Sequence, residues 1–323
     1  MTLIKTFSAG DEIVGFYLLK SADVKQTNTT PPKDYFDFVF MDQSGEIGGK
    51  LWDVSAVDKE TYFPMMLVKI QGLVQLYKEK PQLKIMRIRK AEDEDGVALA
   101  DFIRSAPIQP VDLLYVIKQT ISSIQDAEIK AIVEYIHARA EDKLMHYPAA
   151  KGIHHAYYAG LAYHIVRMLE LGEFIIKQRP FLQPDLIRAG IILHDIAKTE
   201  EMNAELGVAT DYSLTGRLLG HISIASNWIV EAAIQLGIGT SNLNIVALQH
   251  LILSHHNLGE WGSPVQPQLP EAVALHYIDQ LDAKLQAVED AIDITPESEE
   301  WTAPVRAVEY KQIYLMKRKE NGG

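Results

Sequence analysis

His194 and Asp195 stand side by side after the apolar run Ile191-Ile192-Leu193, with Lys198 close behind. Pro184 and Asp185 mark a helix start upstream, so the doublet falls at the end of a buried helix. An imidazole and a carboxylate are costly to bury without partners. Adjacent side chains on a helix point about 100° apart, which lets both reach one ion lying beyond the helix end. Lys198 shares their face and can hold either a phosphate oxygen or the Asp195 carboxylate. The plain alternative is a buried ion pair without a metal. The remaining histidines weigh against it. All 11 lie after residue 136, and neutral imidazole is the commonest transition-metal ligand.

Three histidines, His154, His155 and His164, fall on or near one expected helix. His155 and His164 point to opposite sides of a continuous helix, so they do not share an ion. His164 lies among Leu161, Ala162, Ile165 and Val166, which directs it to the core and towards His194. His154 and His155 sit near the helix start, better placed for a phosphate or for the rim of the site. His221 follows Gly220, which allows a close backbone approach. The pair His255-His256 ends another helix, before a loop containing Gly259, Trp261, Gly262 and Pro264. On the last helix, opened by Pro270, His276 and Asp279 share a face and Asp282 lies beside them.

The elements that position these groups follow from hydrophobic period. Residues 1–95 read as short alternating strands, Ile13–Leu19, Tyr35–Met41, Ile47–Trp52, Met65–Tyr77 and Gln82–Ile88, with a bulge at Gly72. Five strands without a strong helix predict an all-β OB-fold barrel. Phe36, Phe38, Phe40 and Trp52 read as its core. Tyr17, Tyr35 and Tyr77 are the candidates for stacking on bases, and Lys84 and Arg87 belong to a basic run from Lys78 to Lys90. The acidic stretch Ala91–Gly96 marks the domain boundary. Residues 96–125 form a connecting helical segment and residues 126–292 an all-α domain with short breaks, Asp126 capping its first helix. Residues 293–323 are expected to be a partly extended tail packed on one of the domains.

There is no cysteine, so any metal must be held by His, Asp and Glu. A net charge of −12 speaks against nonspecific binding to long duplexes but not against a local basic groove. The N-terminus carries no signal-like apolar region and no run is long enough to span a bilayer, so a cytoplasmic chain with no membrane association is expected. The acidic surface does not forbid a homo-oligomer.

The ordered set His164, His194-Asp195, His221, His255-His256, Asp279 on helices resembles the HD phosphohydrolase superfamily, in the form that binds two metals. That resemblance implies one ion on His164, His194, Asp195 and Asp279. A second would lie on His221, His255 and His256, with Asp195 bridging. Two such ions clamp a phosphate and activate water, with Asp195 and Lys198 as the catalytic pair. The ligands suit two divalent transition-metal ions, manganese first, with iron, cobalt or zinc also accommodated.

An OB barrel followed by an HD domain is similar to the YhaM-type 3′→5′ exoribonucleases. So are Pro148–Tyr157, the His255-His256 stretch with Glu260-Trp261-Gly262-Ser263-Pro264, and His276–Lys284. Two positions depart from that family: Ala159-Gly160 stands where two glycines are common, and Asn257 where glycine is frequent. The resemblance implies hydrolysis of single-stranded RNA, or also DNA, from the 3′ end to nucleoside 5′-monophosphates, with His154, His155, Arg217, Trp261, Tyr35, Lys84 and Arg87 holding substrate. The rival readings are an HD hydrolase of a small nucleotide with a regulatory OB domain, and a single-strand binding protein with an inert HD domain.

Overall fold

Alternating apolar and polar residues in the N-terminal part close into a barrel in this computed structural model. The structure describes residues 2–52, 54–78, 80–150, 157–205 and 207–316. The strands are β1 (Glu12–Gln26), β2 (Asp34–Asp42), β3 (Gly45–Trp52), β4 (Leu67–Tyr77) and β5 (Lys80–Lys90), with a short helix α1 (Ala56–Thr61) between β3 and β4. The closed order is β1-β2-β3-β5-β4. All neighbours are antiparallel except β3 and β5, which run parallel. This is the OB-type barrel expected from the strand count. The inward residues Phe36, Phe38, Phe40, Ile70, Val74 and Leu83 form its core. Gly72 does sit at a bulge: the β4–β5 register shifts between Gln71 and Gly72.

Two expectations about the barrel fail. Tyr17 is wholly buried, and its hydroxyl donates to the Thr2 carbonyl at 3.0 Å, so it packs and does not stack on a base. Trp52 is not core: it ends β3 on the outer face and is 43% exposed. The reason is parity, since Gly49 and Leu51 take the inward positions of that strand.

The acidic stretch is no free linker. Arg89 donates two bonds of 2.7 Å to Asp95, folding the segment back onto β5. The chain divides into units Met1–Arg104 and Ser105–Gly323. Residues 96–104 thus belong with the barrel, against expectation, because the turn Leu99–Phe102 packs on β1 and β2 and buries Phe102.

The second unit is helical. Its helices are α2 (Pro110–Ser123), α3 (Ala127–Leu144), α4 (Gly160–Gln178), α5 (Pro184–Leu193), α6 (Lys198–Glu201), α7 (Leu214–Gln235), α8 (Leu243–Ser254) and α9 (Pro270–Asp293). Helix α2 packs on α3, α4 and α5, so it is part of this unit and not a connector. Asp126 caps α3, accepting from the backbone of Glu128 and Ile129 at 3.0 Å. One helical core joins α2–α5 with α7, α8 and α9. An unexpected hairpin, β6 (Met202–Glu205) with β7 (Val208–Tyr212), interrupts the helices. Its strands are too short to show a period in the sequence. The tail bridges Trp301 to Tyr314 and Val305 to Lys311, and its turn at Arg306–Val308 rests on α9. No described helix is long and apolar enough to cross a membrane.

Candidate metal centre

Two helix ends, two helix interiors and one kink deliver the cluster. His164 lies within α4 and His194 caps the C-terminus of α5, followed at once by Asp195. Asp279 lies within α9, and His255 caps α8 with His256 next to it. His221 depends on a kink. Gly220 has φ 70° and ψ 155°, which breaks α7 and frees the His221 N–H from its helical partner. Glu201 takes up that N–H at 3.0 Å. It can come so close because Gly216 has no side chain: a Cβ there would lie 2.1 Å from the Glu201 carbonyl oxygen.

These side chains form two adjoining groups of possible ligand atoms, Asp195 with His221, His255 and His256, and His164 with His194 and Asp279. Asp195 is the bridge. Its Oδ2 lies 3.3 Å from His194 Nε2, and its Oδ1 lies 3.2 Å from His221 Nε2 and 3.8 Å from His255 Nε2. His164 Nε2 lies 3.3 Å from His194 Nε2 and 3.4 Å from Asp279 Oδ1. Ions bound at about 2.0–2.2 Å hold neighbouring ligand atoms at about 3.0–3.5 Å, which all of these separations match except the 3.8 Å to His255.

The far nitrogens of the rings are all engaged. His164 Nδ1 pairs with Asp282 at 2.7 Å and His221 Nδ1 with Glu201 at 3.0 Å. His194, His255 and His256 meet the carbonyls of Ile191, Ile252 and Trp261 at 2.8, 2.7 and 2.6 Å. Each bond fixes a tautomer with the proton on Nδ1 and leaves the Nε2 lone pair facing inward. Inside, Asp195 Oδ1, His221 Nε2 and His255 Nε2 are buried with no hydrogen-bond partner. Such orphaned atoms cost about 1–3 kcal/mol each, and a shared cation satisfies all three. The residues present fit a pair of divalent ions.

Electrostatics agree. Burial opposes ionisation of Asp195, but Lys198 and His194 outweigh it and hold its carboxyl far below the usual range. Lys198 donates to Asp195 Oδ2 at 2.6 Å. Burial drives His255 well down and His256 down, keeping both neutral. Burial would also lower His164, but Asp279 and Asp282 overcome it and lift the ring to about 9. A proton there stands where a cation would bind.

The sequence brought forward every residue of the two groups. It missed the orienting carboxylates: nothing along the chain separates Glu201 from Glu200, and Asp282 showed only as a neighbour of Asp279. His276 stands outside the groups and donates Nδ1–H to the His255 carbonyl at 2.7 Å. Arg217 pairs with Asp211 at 2.6 Å on the surface. Trp261 is half exposed, and its backbone carbonyl is what holds His256. His154 and His155 lie outside the described residues. Tyr35, Lys84 and Arg87 lie on the barrel's outer face, Arg87 lining a groove of about 640 Å³ with Trp52, Lys69 and Met86. The departures Ala159 and Asn257 both have left-handed backbone, φ 58° and 65°, which is where glycine is favoured.

The HD domain family model matches residues 161–284. The 3'-5' exoribonuclease YhaM of Geobacillus sp. (strain WCH70) is 40% identical over 308 residues, covering 95% of this chain and 93% of that protein. That of Bacillus subtilis (strain 168) is 38% identical over 311 residues, covering 96% and 97%. Among solved structures, the second OB-fold domain of replication protein A from Methanococcus maripaludis matches 28% of this chain and 94% of its own, at 14% identity and a TM-score of 0.25.

Proposed function

The chain belongs to the YhaM family of 3'-5' exoribonucleases, and from that premise we propose how its own residues degrade RNA. The observation that carries the reading is the set of orphaned, inward-facing atoms of Asp195, His221 and His255 between two ligand groups. His164, His194, Asp195 and Asp279 would hold one divalent ion, and Asp195, His221, His255 and His256 the other. Manganese suits this mixed imidazole and carboxylate set, as do iron, cobalt and zinc. When bound, such ions polarise a phosphodiester and bring water near neutral pKa.

The protein's residues prepare that chemistry. Asp282 and Glu201 fix the tautomers of His164 and His221. Lys198 keeps Asp195 ionised and stands within reach of charge that builds on the phosphoryl oxygens. Burial disfavours its charge, but the Asp195 carboxylate outweighs burial and keeps it protonated. Trp261 and the loop that carries it border His256 and hold the terminal nucleotide, with Arg217, His154 and His155. The barrel's outer face, with Tyr35, Lys84 and Arg87, holds the strand upstream. An RNA substrate supports a cytoplasmic setting, and the products are nucleoside 5′-monophosphates.

The test uses RNA and DNA oligonucleotides labelled at the 5′ end, with manganese, and compares wild type with Asp195→Asn. RNA should shorten stepwise from its 3′ end, and Asp195→Asn should leave it intact. Intact RNA with a wild-type protein shown to hold metal would overturn the reading. The rate on DNA sets the sugar preference.

A further inference from the structure

A histidine outside the two ligand groups ties one of them to the other. His276 lies on α9, one turn before Asp279, and is buried. Its Nδ1–H donates to the backbone carbonyl of His255 at 2.7 Å. A carbonyl can only accept, so the bond fixes which ring nitrogen carries the proton. His255 ends α8, and its carbonyl is one of those that a helix terminus leaves without an intrahelical partner. The neighbouring bonds at that end are local. Asn257 N–H donates to the Ser254 carbonyl at 2.8 Å, His256 N–H to Ser263 Oγ at 3.0 Å and His256 Nδ1–H to the Trp261 carbonyl at 2.6 Å. The bond from His276 reaches instead to the helix that carries Asp279, a ligand of the other group.

A second observation lies one turn lower. Gly190, Leu251 and Leu275 each stand four residues before a ligand, namely His194, His255 and Asp279. A Cβ at Gly190 would lie 3.2 Å from Leu251 Cδ1 and 3.2 Å from Leu275 Cδ2. The missing side chain lets α5 close on α8 and α9 at once. The three helices are thus pinned together just beneath the ligands. Apolar contacts are non-directional and tolerate sliding, whereas a hydrogen bond to one carbonyl specifies register. His276, the residue after Leu275, supplies that bond at the level of the ligands. The bonds that orient the rings do not. Asp282 and the Ile191 carbonyl aim the rings of one group, and Glu201 with the carbonyls of Ile252 and Trp261 those of the other. None of these joins α8 to α9.

We propose that His276 is a positioning residue that sets the spacing between the two groups of ligands. It holds His255 of one group at a fixed offset from Asp279 of the other, so that two ions bound there act on one phosphate together. This rests on the reading of the cluster as the two-ion centre of a nuclease. Without the bond each ion still binds, because its rings keep their orienting partners. The loss falls on how the ions work as a pair.

The experiment loads the full chain with manganese and compares wild type with His276→Leu and His276→Asn. Asparagine presents an N–H where histidine has Nδ1–H, and leucine fills a similar volume without one. Electron paramagnetic resonance reads the exchange coupling between the bound ions, and a 5′-labelled RNA reads kcat and KM. His276→Leu should keep both ions but lose the coupled signal, with kcat lowered about 10–100-fold and KM within about twofold of wild type. His276→Asn should restore the signal and most of kcat. Gly190→Ala pushes the same helices apart without touching the bond, and should weaken the coupling too; it carries the test if circular dichroism shows His276→Leu unfolded. A folded His276→Leu with wild-type coupling and kcat overturns the proposal, as does His276→Asn no better than His276→Leu, or Gly190→Ala with unchanged coupling. Those failures appear against a coupled, active wild type. A wild type without a coupled pair, or one that leaves RNA intact, marks failure of the underlying two-ion nuclease reading and takes the proposal with it.

Discussion

Replacing Glu201 by glutamine tests how the metal centre is built. Glu201 Oε1 accepts both the backbone N–H and Nδ1–H of His221, each at 3.0 Å. Burial resists its charge, but His221 outweighs burial and keeps it ionised. Glutamine preserves the shape and one acceptor oxygen but removes the negative charge behind the ring. Loss of such an orienting partner typically lowers metal affinity about 10–100-fold, or about 1.4–2.7 kcal/mol. The effect should be confined to one ion. The group of His164, His194 and Asp279 is oriented by Asp282 and the Ile191 carbonyl, neither of which touches Glu201. Titration calorimetry with manganese, with metal content measured after dialysis, should show one ion retained and the other weakened. Equal weakening of both ions, or an unchanged affinity, would refute the division of the cluster into two separately oriented halves.

Further outcomes follow from other contacts. Gly216→Ala drives a Cβ towards the Glu201 carbonyl, 2.1 Å away, and should cost about 1–3 kcal/mol, read as a lower Tm and a loss of the weaker ion. Asn257→Ala should cost about 1 kcal/mol while Asn257→Gly does not, since φ is 65° there; urea unfolding measures both. Asp126→Ala removes the cap of α3 and should cost about 1 kcal/mol, with no change in metal affinity. Burial raises the Tyr17 hydroxyl to about 12. Its neutral form therefore contributes stability in full below about pH 10, and that contribution disappears as pH rises through 12. Absorbance at 295 nm, wild type against Tyr17→Phe, should lack a Tyr17 step near pH 10.

The sequence by itself determined the two architectures and the candidate ligand set. Alternation sets which barrel residues face inward, and a histidine among Leu161, Ile165 and Val166 has nowhere to go but the core. Local chemistry of that kind is written residue by residue. It also fixed the order of the cluster, because each ligand is bound to a helix end or face whose signals are local. Only the tertiary structure decided which carboxylates orient the rings. Glu201 and Glu200 are indistinguishable along the chain, and the kink at Gly220 and the bare backbone of Gly216 bring one of them to His221. The hairpin of β6 and β7 escaped notice because four or five residues cannot display a period. Trp52 was misplaced for a related reason: an aromatic residue at a strand end reads as core by type. Its exposure follows from which neighbours take the inward side, and only closing the barrel settles that. Ala159 and Asn257 look like neutral departures in sequence. The fold shows that both hold left-handed backbone beside the ligands, where conformational strain and not side-chain chemistry sets what is allowed.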